Sequence, residues 1–196
     1  MMCGRYVILT DKDIQEIKDI ARAIDEKYGA GSMPSGEIRP TNQAPVFVAN
    51  GDGYGAELMT WGMPKYKVPG VIINARAETA TEKRTFKDAL QFRRCLIPST
   101  GFFEWTHNPA KKKEKYVFNA PDSPMLYMAG LYILVPGEEL ARYVILTTAA
   151  NDSMRGIHER MPVILQKSEI KEWITQQNFA HETLHRIPPR LIKHIA

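Results

Sequence analysis

Apolar side chains recur at spacings of three and four from Ile14 through Ile17, Ala21 and Ile24 to Tyr28, which places them on one face of an α-helix. Gly29 follows directly, and a glycine just past the last apolar position is the usual stop for a helix. Ahead of the run, Thr10 is a candidate N-cap, with Asp11 and Asp13 in the first turn, where negative charge suits the helix dipole. Tyr6–Leu9 is a short β-prone stretch before it, and the Gly-, Pro- and Ser-rich segment from Gly29 to Thr41 predicts loop. Beyond Thr41 the period shortens. Val46–Val48 and Ala56–Trp61 flank Asn50-Gly51-Asp52-Gly53, a strong hairpin signal, and Trp61-Gly62-Met63-Pro64 closes the second strand.

Val71–Ile73 predicts a strand running into the polar segment Asn74–Thr79, and Thr81–Phe92 predicts a helix with Phe86, Ala89 and Leu90 on one side. Cys95–Pro98 and Gly101–Trp105 read as adjacent strands joined by Ser99-Thr100, followed by a basic excursion from Asn108 to Lys115. Tyr116–Phe118, Met125–Val135 and Tyr143–Thr148 supply further strands, and Asn151–Ser153 opens a turn that delivers His158–Pro162. Val163–Leu165 is then the last strand, Ser168 caps a helix through Gln177, and the tail from His181 has no clear assignment. Strands outnumber helices and no βαβ rhythm appears. The pattern predicts an α+β fold, one domain over residues 1–196, with a largely antiparallel sheet curled towards a barrel.

Composition narrows this little. In 196 residues, 44% are hydrophobic and 24% charged, an ordinary globular balance. No apolar run approaches the roughly 20 residues of a membrane span, and the opening residues lack the layout of a secretory signal. The two cysteines, Cys3 and Cys95, form neither a disulfide framework nor a metal-ligand pattern. A cytoplasmic protein is expected. The net charge of +4 permits a polyanionic partner without requiring one.

Chemistry could sit in four places. Cys3 is one, because a cysteine freed at a chain start carries an amine and a thiol on neighbouring carbons. The amine condenses with an aldehyde to an imine, and the thiol then closes a thiazolidine ring. The plainer reading is a small buried hydrophobe. Glu104 stands among Phe102, Phe103 and Trp105; it is either a solvent-face carboxylate on an alternating strand or an acid–base group tuned by apolar neighbours. His158 lies in a loop beside Arg160, as an exposed histidine or a placed proton donor. Asn74 and Arg76 alternate at a strand end and could offer an amide and a phosphate contact, or be a turn Asn and a surface Arg. Lys111–Lys113 reads as a solvated loop tip. Gly-rich phosphate loops are absent, and His181 and His185 lack a third ligand, so no metal or cofactor is expected.

Together, Cys3-Gly4-Arg5, Asn74–Thr79, Gly101–Trp105 and His158–Pro162, in this order, resemble the SOS-response-associated peptidase (SRAP) family, proteins that crosslink abasic sites in single-stranded DNA. The resemblance spans essentially the whole chain. It implies that Cys3 is the nucleophile, forming a thiazolidine with the ring-opened aldehyde of an abasic deoxyribose, and that Glu104 moves protons for imine formation and ring closure. It further implies that Asn74 and His158 orient or protonate the opened sugar. Arg5, Arg76 and Arg160 would grip flanking phosphates, and Trp61 would stack or wedge near the lesion. The implied partner is abasic single-stranded DNA, bound by a monomer without cofactor, in a cytoplasm whose nucleoid it joins after damage. The family name also records a proposed peptidase activity. Met1 and Met2 precede Cys3 here, so its amine is exposed only when whatever precedes it is removed. Two other classes remain open: a Cys–His hydrolase built on Cys3, His158 and Glu104, and a non-catalytic single-stranded DNA-binding module.

Overall fold

The computed structural model describes residues 4–10, 14–106 and 114–196. The chain opens with β1 (Tyr6–Ile8), α1 (Gln15–Tyr28) and β2 (Gly36–Ile38), then the hairpin of β3 (Gln43–Asn50) and β4 (Gly53–Trp61). A small ribbon, β5 (Met63–Pro64) and β6 (Val71–Ile72), leads to β7 (Asn74–Arg76), the single-turn α2 (Ala77–Ala80) and α3 (Arg84–Phe92). The strands β8 (Arg94–Ser99), β9 (Gly101–Trp105), β10 (Lys115–Asn119), β11 (Leu126–Ile133) and β12 (Arg142–Ala149) follow. The chain ends with β13 (Arg160–Pro162), β14 (Ile164–Leu165), a 3₁₀ turn at Lys167–Glu169, α4 (Ile170–Thr175), α5 (Gln177–Thr183) and β15 (Ile192–Ile195). Among the described residues no helix is long and apolar enough to cross a membrane.

Two sheets share the work. The larger has eight strands in the order β13-β12-β4-β3-β8-β11-β14, with β7 also on β12. It curls into a ring rather than a regular barrel: β12 pairs antiparallel with β11, and also in parallel with β4 at Arg142↔Thr60 and Tyr143↔Trp61. The smaller sheet runs β15-β10-β9-β1-β2. Consecutive strands β8 and β9 therefore lie in different sheets. They follow one another in sequence as expected, but Ser99-Thr100 carries the chain across the gap instead of turning a hairpin. Gly101 makes that crossing possible, since a methyl group there would meet Asn119 Nδ2 at 2.6 Å and the Phe118 carbonyl at 2.8 Å.

The β3–β4 hairpin turns at Asn50↔Gly53, with Gly51 at a φ of 54° as such a tight turn demands. Gly29 ends α1, its N–H donating to the Asp25 carbonyl at 2.9 Å. The buried face of α1 is Ile17, Ile20 and Ile24, so Ile20 takes the place expected of Ala21. The cap expected at Thr10 is corrected: α1 begins at Gln15 after an extended Ile14, and Thr10 donates its hydroxyl to Ser35. Asp11 and Asp13 lie outside the described residues. Ser168 is likewise not a cap, because Gln166 and Glu169 form a reciprocal capping box around the 3₁₀ turn. The expected loop from Gly29 to Thr41 contains β2, recruited as the outer neighbour of β1, and the unassigned tail ends as β15 on β10.

Phe86, Ala89 and Leu90 turn inward as expected, and Cys95 is fully buried in the same core. Burial pushes the Cys95 thiol well above its ordinary range, so it is an inert packing group.

Candidate functional site

The parallel pairing of β7 on β12 sets Asn74 opposite Ile145 and Arg76 opposite Thr147. Alternation along a strand sends Ala75 into the core, 1% exposed, and leaves Asn74 and Arg76 on the other side. On the opposite flank of β12, β13 pairs Ala149 with Arg160. The two flanks therefore converge, and Asn74, Arg76, His158 and Arg160 line one cavity of about 370 Å³ with Lys65 and Ile73. Three segments distant in sequence meet there.

Hydrogen bonds fix much of its wall. The His158 N–H donates to the Met154 carbonyl at 3.1 Å, and the Arg160 N–H donates to His158 Nδ1 at 3.0 Å. The Arg160 guanidinium grips Glu78 with both limbs, Nη1 to Oε1 at 2.5 Å and Nη2 to Oε2 at 2.8 Å. Nη2 also reaches the Thr147 carbonyl at 2.6 Å. The hydrogen bond from Arg160 holds the Glu78 carboxyl below the usual range of glutamate.

Beside this cavity runs the start of the smaller sheet. A methyl group on Gly4 would lie 4.0 Å from Ile73 Cδ1, so the first described residue abuts the segment leading into Asn74. One residue on, the Arg5 carbonyl accepts from the Phe103 N–H at 2.9 Å, which places β1 against the residue preceding Glu104. Along β9, Phe102 and Glu104 share a face, as alternation predicts. That face is covered: the Glu104 residue is 2% exposed, which removes the solvent-face reading. Arg5 pairs with Glu37 at 3.0 Å and stacks over Trp105, 5.1 Å from its ring centroid. Lys115 also binds Glu37. Cys3, the expected nucleophile, lies outside the described residues. Among the described residues no group of His, Cys, Asp and Glu is arranged to hold a metal.

A model of the family described as SOS response associated peptidase (SRAP) matches residues 2–193. The chain belongs to the SRAP family. It is 33% identical over 196 residues to the abasic site processing protein YoaM of Bacillus subtilis, covering 95% of this chain and 85% of that one. It is 28% identical over 181 residues to the abasic site processing protein YedK of Escherichia coli, covering 90% and 81%. Among solved structures, a protein from Bacteroides thetaiotaomicron superimposes with a TM-score of 0.79 at 25% identity, covering 98% of this chain and 91% of that one.

One expected site residue in this SRAP chain needs correction. Trp61 is fully buried, its indole N–H donating to the Ile73 carbonyl at 3.0 Å and its ring stacked on Tyr143. A ring enclosed on both faces is core and offers nothing to a base. An aromatic candidate missed from the sequence stands five residues later. Tyr66 is 83% exposed at the tip of the β5–β6 ribbon, whose returning residues Val71 and Ile72 help wall the cavity. The signal was Lys65-Tyr66-Lys67 ahead of Pro69-Gly70, an aromatic between two cations in a turn. Gly62 keeps the ribbon folded: its φ is 112°, and a methyl group would sit 2.9 Å from Val71 Cβ.

Proposed function

We propose that this SRAP chain captures abasic sites in single-stranded DNA by forming a thiazolidine at Cys3. The free α-amine of Cys3 adds to the aldehyde carbon of the ring-opened deoxyribose, giving a carbinolamine. That species loses its hydroxyl as water to become an imine, and the Cys3 sulfur then adds to the imine carbon. The thiol proton passes to the nitrogen, so the whole sequence releases one water. A carboxyl among apolar side chains suits the two proton movements, which is the role of Glu104. Asn74 and His158 orient the opened sugar, and Arg5 and exposed Arg76 receive the flanking phosphates. Tyr66 supplies a stacking surface for an unpaired base.

The observation that carries this reading is the cavity walled by Asn74, Arg76, His158 and Arg160, with Gly4 beside its Ile73 wall and Arg5 bonded to Phe103. The relatives named as abasic site processing proteins support the choice of an abasic site as the target. Peptidase activity enters as the route by which the chain frees the Cys3 amine.

Protein whose mature chain starts at Cys3, mixed with abasic single-stranded DNA, should give a heat-stable adduct on denaturing electrophoresis. Cys3→Ala should give none. A stable adduct whose intact mass still includes Met1 and Met2 would overturn the thiazolidine. Replacing Glu104 by Gln should slow adduct formation about 10²–10⁴-fold without weakening DNA binding, and an unchanged rate would remove Glu104 from the chemistry.

A further inference from the structure

We infer that Glu78 is a positioning residue: through Arg160 it holds the His158 imidazole in the tautomer with its proton on Nε2. The importance of this for adduct formation rests on the function proposed above. A main-chain N–H can only donate, so the 3.0 Å bond from the Arg160 N–H requires a lone pair on His158 Nδ1. A neutral imidazole then carries its hydrogen on Nε2. That bond lasts only while the backbone of Arg160 stays in place.

The pairing of β13 with β12 holds the Arg160 backbone on one side, and its side chain adds a second tie. The guanidinium is tied at 2.5 and 2.8 Å to Glu78 and at 2.6 Å to the Thr147 carbonyl. Glu78 belongs to α2, directly after β7, whereas His158 and Arg160 enter from the other flank of β12. Glu78 is thus the clamp that joins the Asn74–Arg76 wall to the His158 wall. Its bidentate grip also occupies the edge of Arg160 that a phosphate would take. Arg160, expected to be a phosphate anchor, is tied to Glu78 in this structure, and exposed Arg76 stands beside it.

This separates rate from affinity. In Glu78→Gln the fork loses its charge partner while the side-chain shape is kept. Adduct formation at saturating abasic single-stranded DNA should slow by about 10-fold, the lower end of the loss seen when a partner behind a metal-bound imidazole is removed. Affinity for intact single-stranded DNA should stay or tighten, and its salt dependence should steepen by about 0.7 as Arg160 becomes available to one phosphate. Glu78→Asp, which keeps the charge, should recover part of the rate.

The deciding measurement is imidazole NMR of His158 in the free protein, at a pH where the ring is neutral. Wild type should show the Nε2–H tautomer, and Glu78→Gln a mixture. An unchanged tautomer in Glu78→Gln overturns the inference, and a mixed tautomer with an unaltered rate overturns its part in the reaction. Failure of wild type to form any adduct would sink the proposed function instead, while the NMR comparison would still decide what Glu78 does.

Discussion

Two arginines show two ways of tying elements together. Arg94, where α3 enters β8, is 6% exposed, and every acceptor recorded for it is main chain. Nε reaches the Trp173 carbonyl at 2.6 Å, Nη1 those of Leu90 and Gln91 at 2.9 and 3.0 Å, and Nη2 that of Ile174 at 3.0 Å. These carbonyls belong to the C-terminal turns of α3 and α4, where the helix dipoles present partial negative charge. Burial alone drives the Arg94 pKa down. Arg160 makes a similar fork, but its main partner is a carboxylate whose side chain is 45% exposed. Carbonyls at a helix end cannot leave without unwinding the helix, whereas a half-exposed side chain can swing away. Arg94 fastens, and Arg160 adjusts.

Breaking the fastener should have the largest effect. Arg94→Ala leaves several buried carbonyls without donors, and denaturant unfolding should show a loss of about 3–5 kcal/mol. Arg94→Lys should recover little of it, since an ammonium cannot span two helix ends. A loss below about 1 kcal/mol would erase the distinction between the two arginines.

Exposed residues should respond in binding instead of stability. Tyr66→Ala should cost about 1–3 kcal/mol of single-stranded DNA affinity, the usual worth of a base–aromatic stack, with the unfolding midpoint unmoved. Equal affinity for both proteins would take Tyr66 out of the interface. Arg76→Ala should weaken intact and abasic strands together and lower the salt slope by about 0.7; an unaltered slope would show that Arg76 contacts no phosphate.

Acid sharpens the contrast with the smallest effect. The folded-state pKa of Glu78 lies below its ordinary value, so its stabilisation is present at neutral pH and fades as pH falls through that depressed value. The stability gap between wild type and Glu78→Gln should therefore close in acid, while that between wild type and Arg94→Ala persists. A Glu78→Gln gap independent of pH would mean that the ion pair contributes nothing.

Turn and packing signals were readable in the sequence, although the capping box of Gln166 and Glu169 was not. Asn50-Gly51-Asp52-Gly53 turned its hairpin, Gly29 stopped α1, and Phe86, Ala89 and Leu90 packed inward, each governed by neighbours within a few residues. Long-range pairing was not readable. Nothing near Ser99-Thr100 says that β8 and β9 join different sheets, because that depends on Phe47, Tyr6 and Tyr116 meeting them from elsewhere. The same non-local packing buries Trp61 and leaves Tyr66 exposed, although both are aromatic residues near strand ends. Asn74, Arg76, His158 and Arg160 could be singled out by residue type, but their shared cavity depends on β7 and β13 flanking β12. Glu78 escaped notice because a glutamate in a short polar segment has no local mark of its partner.

Strand β1 carries one more consequence. It has only three residues, yet it lies inside its sheet, bonded to β2 on one side and β9 on the other. Its Tyr6 hydroxyl meets that of Tyr143 on the ring at 2.6 Å. A tension applied upstream of Gly4 therefore runs along the strand axis and loads the bonds on both flanks in shear, all at once, instead of peeling an edge bond by bond. In the adduct proposed at Cys3, machinery that collides with the DNA would have to tear the sheet from its middle before the fold gave way.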